Sequence, residues 1–320
     1  MRSTFCKGLV RTVAFLLCLT LALGICARAL REQIIMDTES FEQPEDSIDV
    51  LFLGNCHCYS TFIPSIIQEE TGMSAYVLGA SSQDIPVTYY YLEEAFKTQS
   101  PSYVVLETFP ITIYESYVGM ETIEAYSHLG FSAMPLSLDY FAYAWDYTDG
   151  KGVLSYWFDL LYFHDNWEQV QGLEQSPPRI AQDNGYAVYW IHEPLDRPEE
   201  PLELVQTDEL APLDPTGEEY LYRIMDLVEE NDSTLILVTV PYTSMTEIEA
   251  ARYNTIDQIA QENDIPYYNF TKEEFLEDYG FLRGYMIDTN HVNEQGSALP
   301  NDCYNKKEHP TNLHGMFLFS

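Results

Sequence analysis

Short apolar runs alternate with helical segments in two parts of the chain, and this alternation constrains the fold more than any other feature. The runs have the length of buried strands, and the first two are followed directly by a glycine. Helical patterns separate them, as expected where each strand crosses over to a parallel neighbour. The sequence therefore predicts an α/β fold with a parallel sheet covered by helices. The predicted strands are 48–53, 75–78, 103–106, 234–240 and 265–268.

A segment rich in Tyr, Trp and Phe interrupts this alternation between about residues 111 and 213. It leaves the predicted sheet after the third strand, at the carboxyl edge where α/β proteins place their sites. We interpret it as an insertion that caps that edge and binds a ligand there, because Tyr and Trp faces suit sugar rings and acyl chains. The alternative is that its aromatic side chains build a satellite hydrophobic core.

The N-terminus carries an apolar run, 12–27, without a charged residue and with basic residues on both sides. This is the pattern of a secretory signal or a signal anchor, and Leu9 and Val10 extend the run towards the ~20 residues that cross a bilayer. We predict an uncleaved anchor over 1–31, with cleavage as the alternative. More basic residues precede the run than follow it, which favours a single pass through the cell membrane with the main domain outside the cytoplasm.

The remaining chain divides into a linker, one domain and a tail. Residues 32–47 are polar and acidic and are predicted to be a juxtamembrane linker, and 48–299 form the α/β domain. The segment 300–320 has no helical period and differs in composition, which suggests a divergent or frameshifted tail. The net charge of −36 repels nucleic acid, and the chain has no basic tract, P-loop or dinucleotide-binding glycine pattern.

Two short polar segments follow the first and the last predicted strands. The first is GNCHC (54–58), and the second is DTNH (288–291), which continues as VNEQG. A nucleophile needs a base within hydrogen-bond reach, and the base needs an orienting partner. These roles suit Cys56, His291 and Asp288, since a thiol beside a histidine can ionise near neutral pH.

Together the two segments resemble the SGNH (GDSL-like) hydrolases, which have a G-[DNS]-S turn with the nucleophile and a late D-x-x-H. The H-x-N-x-x-G continuation is similar to that of membrane-anchored members acting on cell-envelope polymers, including the D-alanyl transfer protein of teichoic acid synthesis. The resemblance covers roughly 48–110 and 234–298. It implies a flavodoxin-like three-layer parallel sheet and an acyl-ester hydrolase or acyltransferase for a cell-surface glycan or acylated polymer, with no cofactor.

The resemblance also implies an oxyanion hole. The second family block supplies a glycine, matched here in GASSQ (79–83), and the nucleophile turn supplies a backbone N–H. The third block, an Asn in G-x-N-D, has no match; the chain has VPY (240–242) in its place. We predict the hole from Cys56 and Gly79, with Asn55 or Gln83 as substitutes for the missing Asn.

The cysteine in place of the family's serine leaves alternatives open. One is a catalytically degenerate envelope protein that keeps the fold and binds a glycan or an assembly partner. A rival chemistry joins Cys56, His57 and Cys58 to His291 around zinc or copper. However, C-x-C is not the spacing of structural zinc sites, and in an extended segment residues 56 and 58 would share one side, away from 57. We predict no metal and expect His57 to pack rather than act as the base.

Overall fold

The computed structural model describes residues 2–30, 43–117, 121–158, 160–164, 184–187 and 195–301 of the chain. By internal contacts the chain divides into two compact units, each described below by itself. We call Met1–Ile34 with Pro135–Pro178 the N-terminal unit, and Ile35–Met134 with Arg179–Ser320 the sheet unit.

The sheet unit contains a five-stranded sheet in the order β2-β1-β3-β4-β5, and every strand pairing is parallel. Side chains along the first four strands are almost all buried, as expected for a parallel sheet packed on both faces. The predicted fold class is therefore confirmed, and each strand lies within two residues of its predicted bounds. The strands are β1 (Val50–Gly54), β2 (Ala75–Gly79), β3 (Tyr103–Glu107), β4 (Thr234–Thr239) and β5 (Tyr267–Asn269).

Helices connect the strands and continue beyond the last of them. In the N-terminal unit they are α1 (Arg2–Leu30), α7 (Leu138–Thr148), α8 (Val153–Trp157) and α9 (Leu160–Phe163). In the sheet unit they are α2 (Cys56–Thr61), α3 (Pro64–Thr71), α4 (Ile85–Ala95), α5 (Phe109–Tyr117), α6 (Glu121–Ala133), α10 (Pro215–Glu230), α11 (Glu247–Glu262), α12 (Glu273–Asp278) and α13 (Glu294–Asn301).

Local sequence explains where the crossover helices begin. Asp84 caps α4, because its side chain accepts a hydrogen bond from the backbone N–H of Val87 at 2.9 Å. Thr246 and Glu249 form a reciprocal capping box at the start of α11. These two helices therefore start at positions fixed by side-chain caps, and their packing carries the chain from one strand to the next.

The aromatic-rich segment falls into parts with different surroundings. Helices α5 and α6 belong to the sheet unit, where Tyr91 of α4 donates a hydrogen bond to the carbonyl of Gly130 at 2.8 Å. Helices α7 to α9 belong to the N-terminal unit. The remaining parts at 165–183 and 188–194, most of the linker and the tail after 301 lie outside the described residues. The predicted domain boundaries and the predicted ligand-binding cap therefore stay predictions.

The first helix is long and apolar enough to cross a membrane. This part of α1 covers Lys7–Ala27, which is 21 residues with a mean hydropathy of 2.3. Its side chains are exposed from Lys7 to Cys26, so in the structure they are not packed as a core helix would be. The length matches the ~20 residues that span the hydrocarbon layer.

Helix α10 packs very closely against α5, and this contact yields a test of the fold. A Cβ atom at Gly217 would lie 2.1 Å from the carbonyl oxygen of Ile111. Alanine is normally better than glycine in a helix by ~1 kcal/mol, but here the backbone clash should dominate. We expect Gly217→Ala to lower the free energy of unfolding by ~1–3 kcal/mol, measured by denaturant unfolding.

The control for this substitution is Glu219→Ala, at an exposed position of the same helix. It should change the free energy of unfolding by less than ~0.5 kcal/mol. A Gly217→Ala protein that is more stable than the parent would show that the two helices do not approach this closely.

Candidate active site

The site begins where β1 and β2 end together at two paired glycines, Gly54 and Gly79. A Cβ atom at Gly54 would lie 2.8 Å from the Cβ atoms of Cys58 and Glu107. A Cβ atom at Gly79 would lie 2.6 Å from the carbonyl oxygen of Gly54. The strand ends can therefore approach one another only because both positions lack a side chain, and the chain turns directly from β1 into α2.

Asn55 shapes this turn. Its side-chain oxygen accepts a hydrogen bond from the N–H of His57 at 3.0 Å, and its carbonyl oxygen accepts from the N–H groups of Cys58 and Tyr59 at 3.1 Å. The helix consequently starts at Cys56 itself. Residues 56 and 58 therefore do not lie in an extended segment, since the capped helix turns them ~200° apart. Cys56 is half-buried, whereas Cys58 is fully buried.

The second half of the site is the turn at Asp288 and His291. One carboxylate oxygen of Asp288 accepts hydrogen bonds from the N–H groups of Asn290 at 2.7 Å and His291 at 2.8 Å. The other lies 2.8 Å from Nδ1 of the His291 ring. Burial raises the pKa of Asp288, but the hydrogen bond and the charge of His291 outweigh it and lower the pKa. Asp288 is thus an ionised group that holds the ring in one orientation.

The HVNEQG continuation fixes this turn to the helix that follows. The side chain of Asn293 accepts hydrogen bonds from the N–H groups of Gln295 and Gly296, both at 3.0 Å, and so caps α13. Gly296 has no room for a side chain, since a Cβ would lie 2.4 Å from the carbonyl oxygen of Tyr285. Ser297 then donates a hydrogen bond to the carbonyl of Ser60 in α2 at 2.8 Å. The motif therefore connects the His291 turn to the helix that carries Cys56.

The two halves bring Cys56 and His291 close together. Their ligand atoms lie within 4.8 Å of each other and of a ring nitrogen of His57. Since Nδ1 of His291 is bound to Asp288, Nε2 is the atom left for the thiol. Burial lowers the pKa of His291, but the negative charge of Cys56 and the hydrogen bond to Asp288 raise it to about 9. The arrangement therefore favours the protonated, positively charged form of His291 next to the sulfur of Cys56.

The ring of His57 packs beside this pair. His57 is buried, and its ring stacks on that of Phe109 with centroids 4.1 Å apart. The rings of His57 and His291 are nearly perpendicular, with centroids 5.6 Å apart. Burial, followed by the positive charge of His291, holds the pKa of His57 well below its usual value. A neutral, packed imidazole in this position orients the neighbouring ring without competing for its proton.

The remaining predicted residues have identified partners. Gln83 is buried, and its side-chain NH₂ donates to the hydroxyl of Thr88 at 3.0 Å, which fixes the amide at the start of α4. Asn55 uses its side-chain oxygen for the cap, so its NH₂ is the end that can face a ligand. In the 240–242 segment, Tyr242 packs its ring 5.0 Å from that of His57 and shares a hydrogen bond with Tyr253. The 240–242 segment therefore packs an aromatic ring against His57, where the family's third block would supply an Asn side chain.

Nitrogen and sulfur ligands of the type that zinc and copper prefer lie together in this site. Among the described residues, Cys56, His57 and His291 form a group with ligand atoms within 4.8 Å of one another. Cys58, which the rival metal chemistry included, is not part of that group, because the helical turn directs it to the core.

The sequence analysis did not identify Glu107, the last residue of β3. Its side chain is fully buried; one carboxyl oxygen accepts from the N–H of Phe109 at 3.0 Å, and the other has no hydrogen-bond partner among the described residues. Burial raises the pKa of Glu107 well above its usual value, and the negative charge of Cys56 adds to this. The surroundings of Glu107 therefore favour the protonated, neutral form of its carboxyl group. The signal in the sequence was an acidic residue that closes an otherwise apolar run.

Comparison with known proteins gives little beyond the geometry. No family model matches the chain, and no curated protein matches it. One solved structure that is similar is that of a proposed acylhydrolase from Bacteroides fragilis NCTC 9343. The identity is 12%, the TM-score is 0.37, and the alignment covers 82% of this chain and 89% of that one. At this level the likeness by itself establishes neither family nor activity.

The buried carboxyl of Glu107 predicts a specific dependence of stability on pH. A raised folded-state pKa stabilises the fold at pH values below the unfolded-state pKa of ~4.3, and this contribution is lost as the pH rises through the folded-state value. Glu107→Gln keeps the shape and is neutral at every pH. We expect this variant to unfold at a higher temperature than the parent at pH 7.5, with a smaller difference near pH 4.5.

Glu219→Gln, which alters an exposed carboxylate, is the matched control and should leave both unfolding temperatures unchanged within error. If Glu107→Gln destabilised the chain equally at both pH values, Glu107 would have to be an ionised, paired group instead.

Proposed function

We propose that this chain is a membrane-anchored, extracytoplasmic acyl-ester hydrolase or acyltransferase of the SGNH type that acts on a cell-surface glycan or acylated polymer. The observation that carries the proposal is the arrangement of Asp288, His291 and Cys56 in one line. The carboxylate of Asp288 binds one ring nitrogen of His291, and the thiol of Cys56 lies near the ring. Nucleophile, base and orienting group are the three parts that acyl transfer through a covalent intermediate requires.

In the first half-reaction, Sγ of Cys56 attacks the ester carbonyl carbon, and the carbonyl electron pair moves to the oxygen. When this tetrahedral intermediate collapses, the bond to the alcohol oxygen breaks, and the alcohol leaves with the proton of the His291 imidazolium. The acyl group is then held as a thioester on Cys56. Asp288 keeps Nδ1 occupied throughout, so that the proton is transferred from the other ring nitrogen.

In the second half-reaction, neutral His291 removes a proton from water or from a sugar hydroxyl, and that oxygen attacks the thioester. The thiolate of Cys56 leaves, and the thiolate–imidazolium pair is restored. Water gives the free acid, whereas a sugar hydroxyl gives a new ester. Both products use the same residues, so the acceptor alone distinguishes hydrolysis from transfer.

The developing oxyanion needs hydrogen-bond donors. We propose the backbone N–H groups of Cys56 and Gly79, together with the side-chain NH₂ of Asn55. Gln83 is a weaker candidate, because its amide is fixed by Thr88. The neutral state of Glu107 matters here, since an ionised carboxylate behind Cys56 would repel both the thiolate and the oxyanion.

The proposed partners of the chain are inferred from its membrane anchor and its net charge. Helix α1 would hold the chain in the cell membrane with its site outside the cytoplasm, in reach of envelope polymers. The net charge of −36 disfavours an anionic acceptor, so a neutral glycan is the preferred one.

The nucleophile can be tested by substituting the two neighbouring cysteines separately. Cys56→Ala should lower kcat/KM for a short-chain aryl ester by ~10³-fold or more, because no thioester can form. Cys58→Ala should change it by less than ~3-fold, since the Cys58 side chain is buried in the hydrophobic core. Both variants are assayed at a temperature where their unfolding curves show a folded chain.

Alkylation provides a second readout of the same assignment. Burial raises the pKa of Cys58 well above its usual value, so iodoacetamide should modify Cys56 and spare Cys58, as judged by peptide mass spectrometry. Equal activity in Cys56→Ala and the parent would reject the enzyme and favour the degenerate, glycan-binding alternative.

The charge state of His291 predicts how kcat/KM should fall at alkaline pH. Below its pKa of about 9 the imidazolium can protonate the leaving alcohol, and above it this proton is lost, so kcat/KM should fall as the pH rises through 9. Asp288→Asn removes a group that raises this pKa. The fall should therefore begin at lower pH, with a loss of activity on the order of 10²–10⁴-fold.

Asp232→Asn is the control, since Asp232 is exposed and asparagine tolerates its left-handed backbone with φ of 55°. It should leave the profile unchanged. An alkaline limb that is identical in Asp288→Asn and the parent would mean that a group other than His291 sets it.

A further inference from the structure

Helix α7 of the N-terminal unit has an apolar surface on two sides. Tyr140, Tyr143 and Ala144 are buried. On the other side, Leu138 and Trp145 are spaced by seven residues and are 87% and 56% exposed. A helix that is apolar on more than its packed side is normally covered by a partner or by lipid.

The exposed side of α7 continues into the next two helices. The half-buried ring of Trp157 lies 5.8 Å from that of Phe141 and 6.2 Å from that of Trp145, between centroids. Next to Trp157, the side chain of Phe158 is 60% exposed. We define the apolar patch by its exposed members and the two rings that join them, which are Leu136, Leu138, Phe141, Trp145, Leu154, Trp157, Phe158 and Leu161.

This concentration of exposed apolar side chains differs from the sheet unit. Among the described residues outside α1, six exposed large hydrophobic side chains fall between Leu136 and Leu161, and four are scattered over the whole sheet unit. Single exposed apolar residues are normal, whereas a contiguous group marks an interaction surface.

The surroundings of the patch indicate which partner covers it. Helix α9, which carries Leu161, packs against α1. Along the described part of α1 the side chains are exposed from Lys7 to Cys26, whereas Ala27 is buried and Leu30 is half-buried. The contact is therefore at the last turns of the helix that can cross a membrane. The patch begins at the level where that helix would leave the hydrocarbon layer, which is where Trp and other aromatic side chains are enriched.

We propose that the apolar patch inserts into the interface of the bilayer that α1 crosses, as a second membrane contact of the chain. This inference rests on the anchor proposed above. Acidic residues lie on α7 and at its end, namely Asp139, Asp146 and Asp149. Attraction to anionic lipid is therefore excluded as the driving force, and burial of apolar surface remains. The patch should bind zwitterionic bilayers without any anionic component.

The test uses the full chain reconstituted in phosphatidylcholine vesicles, with or without bromine on the upper acyl carbons as a quencher. The difference in fluorescence between the parent and Trp145→Phe isolates the emission of Trp145. We expect bromolipid to quench at least half of this emission. The triple variant Leu138→Gln, Leu154→Gln, Phe158→Gln should lose most of that quenching.

The matched control is Leu210→Gln with Ile248→Gln, which replaces exposed apolar residues of the sheet unit and should leave the quenching unchanged. Extraction with alkaline carbonate reports on α1 independently. A chain released by carbonate overturns the anchor and with it this inference. A chain that is retained while Trp145 is unquenched overturns the inference alone. A Trp145 emission that responds to a neutral oligosaccharide instead of to bromolipid overturns the inference and assigns the patch to the ligand-binding cap predicted for residues 111–213.

Discussion

The site depends on the absence of side chains where β1 and β2 end. At Gly54 and Gly79 any Cβ would collide with a neighbouring strand or with α2, so these two positions set how closely the strand ends can meet. That approach allows the chain to turn at once from β1 into a capped helix whose first residue is Cys56. The position of the thiol, the burial of Cys58 and the packing of His57 over Phe109 all follow from this one turn.

Burial divides the ionisable groups of the site into two sets. Glu107 and His57 lie in the interior, where the cost of desolvation favours the neutral form of both side chains. Asp288 and His291 are also desolvated, but each has an opposite charge in contact, and the pair stays ionised. The charged groups of the site are thus confined to the line of side chains that leads to Cys56, and the groups around that line are polar and tend to be neutral.

The sequence predicted the sheet well because a buried parallel strand leaves a clear apolar run. It also predicted which polar segments follow β1 and the last strand. It did not predict that Asn55 caps a helix at Cys56, although asparagine is a preferred N-cap residue and the hydrogen bond to the N–H of His57 is local. Glu107 was missed because its role follows from burial, which depends on α5 and β4 rather than on its own neighbours in sequence. Likewise, α7–α9 belong to a different unit from α5 and α6 because of tertiary contacts, and these cannot be predicted from the aromatic composition of the segment.

The hydrogen bond between Ser297 and Ser60 ties the two halves of the site together across a long stretch of chain. Until α13 docks on α2, Cys56 has no imidazolium beside it and is an ordinary thiol with little nucleophilic character. Loop closure over such a separation is slow relative to local helix formation. The reactivity of this thiol therefore appears only late in folding, and a nascent or partly unfolded chain carries Cys56 in a much less nucleophilic form.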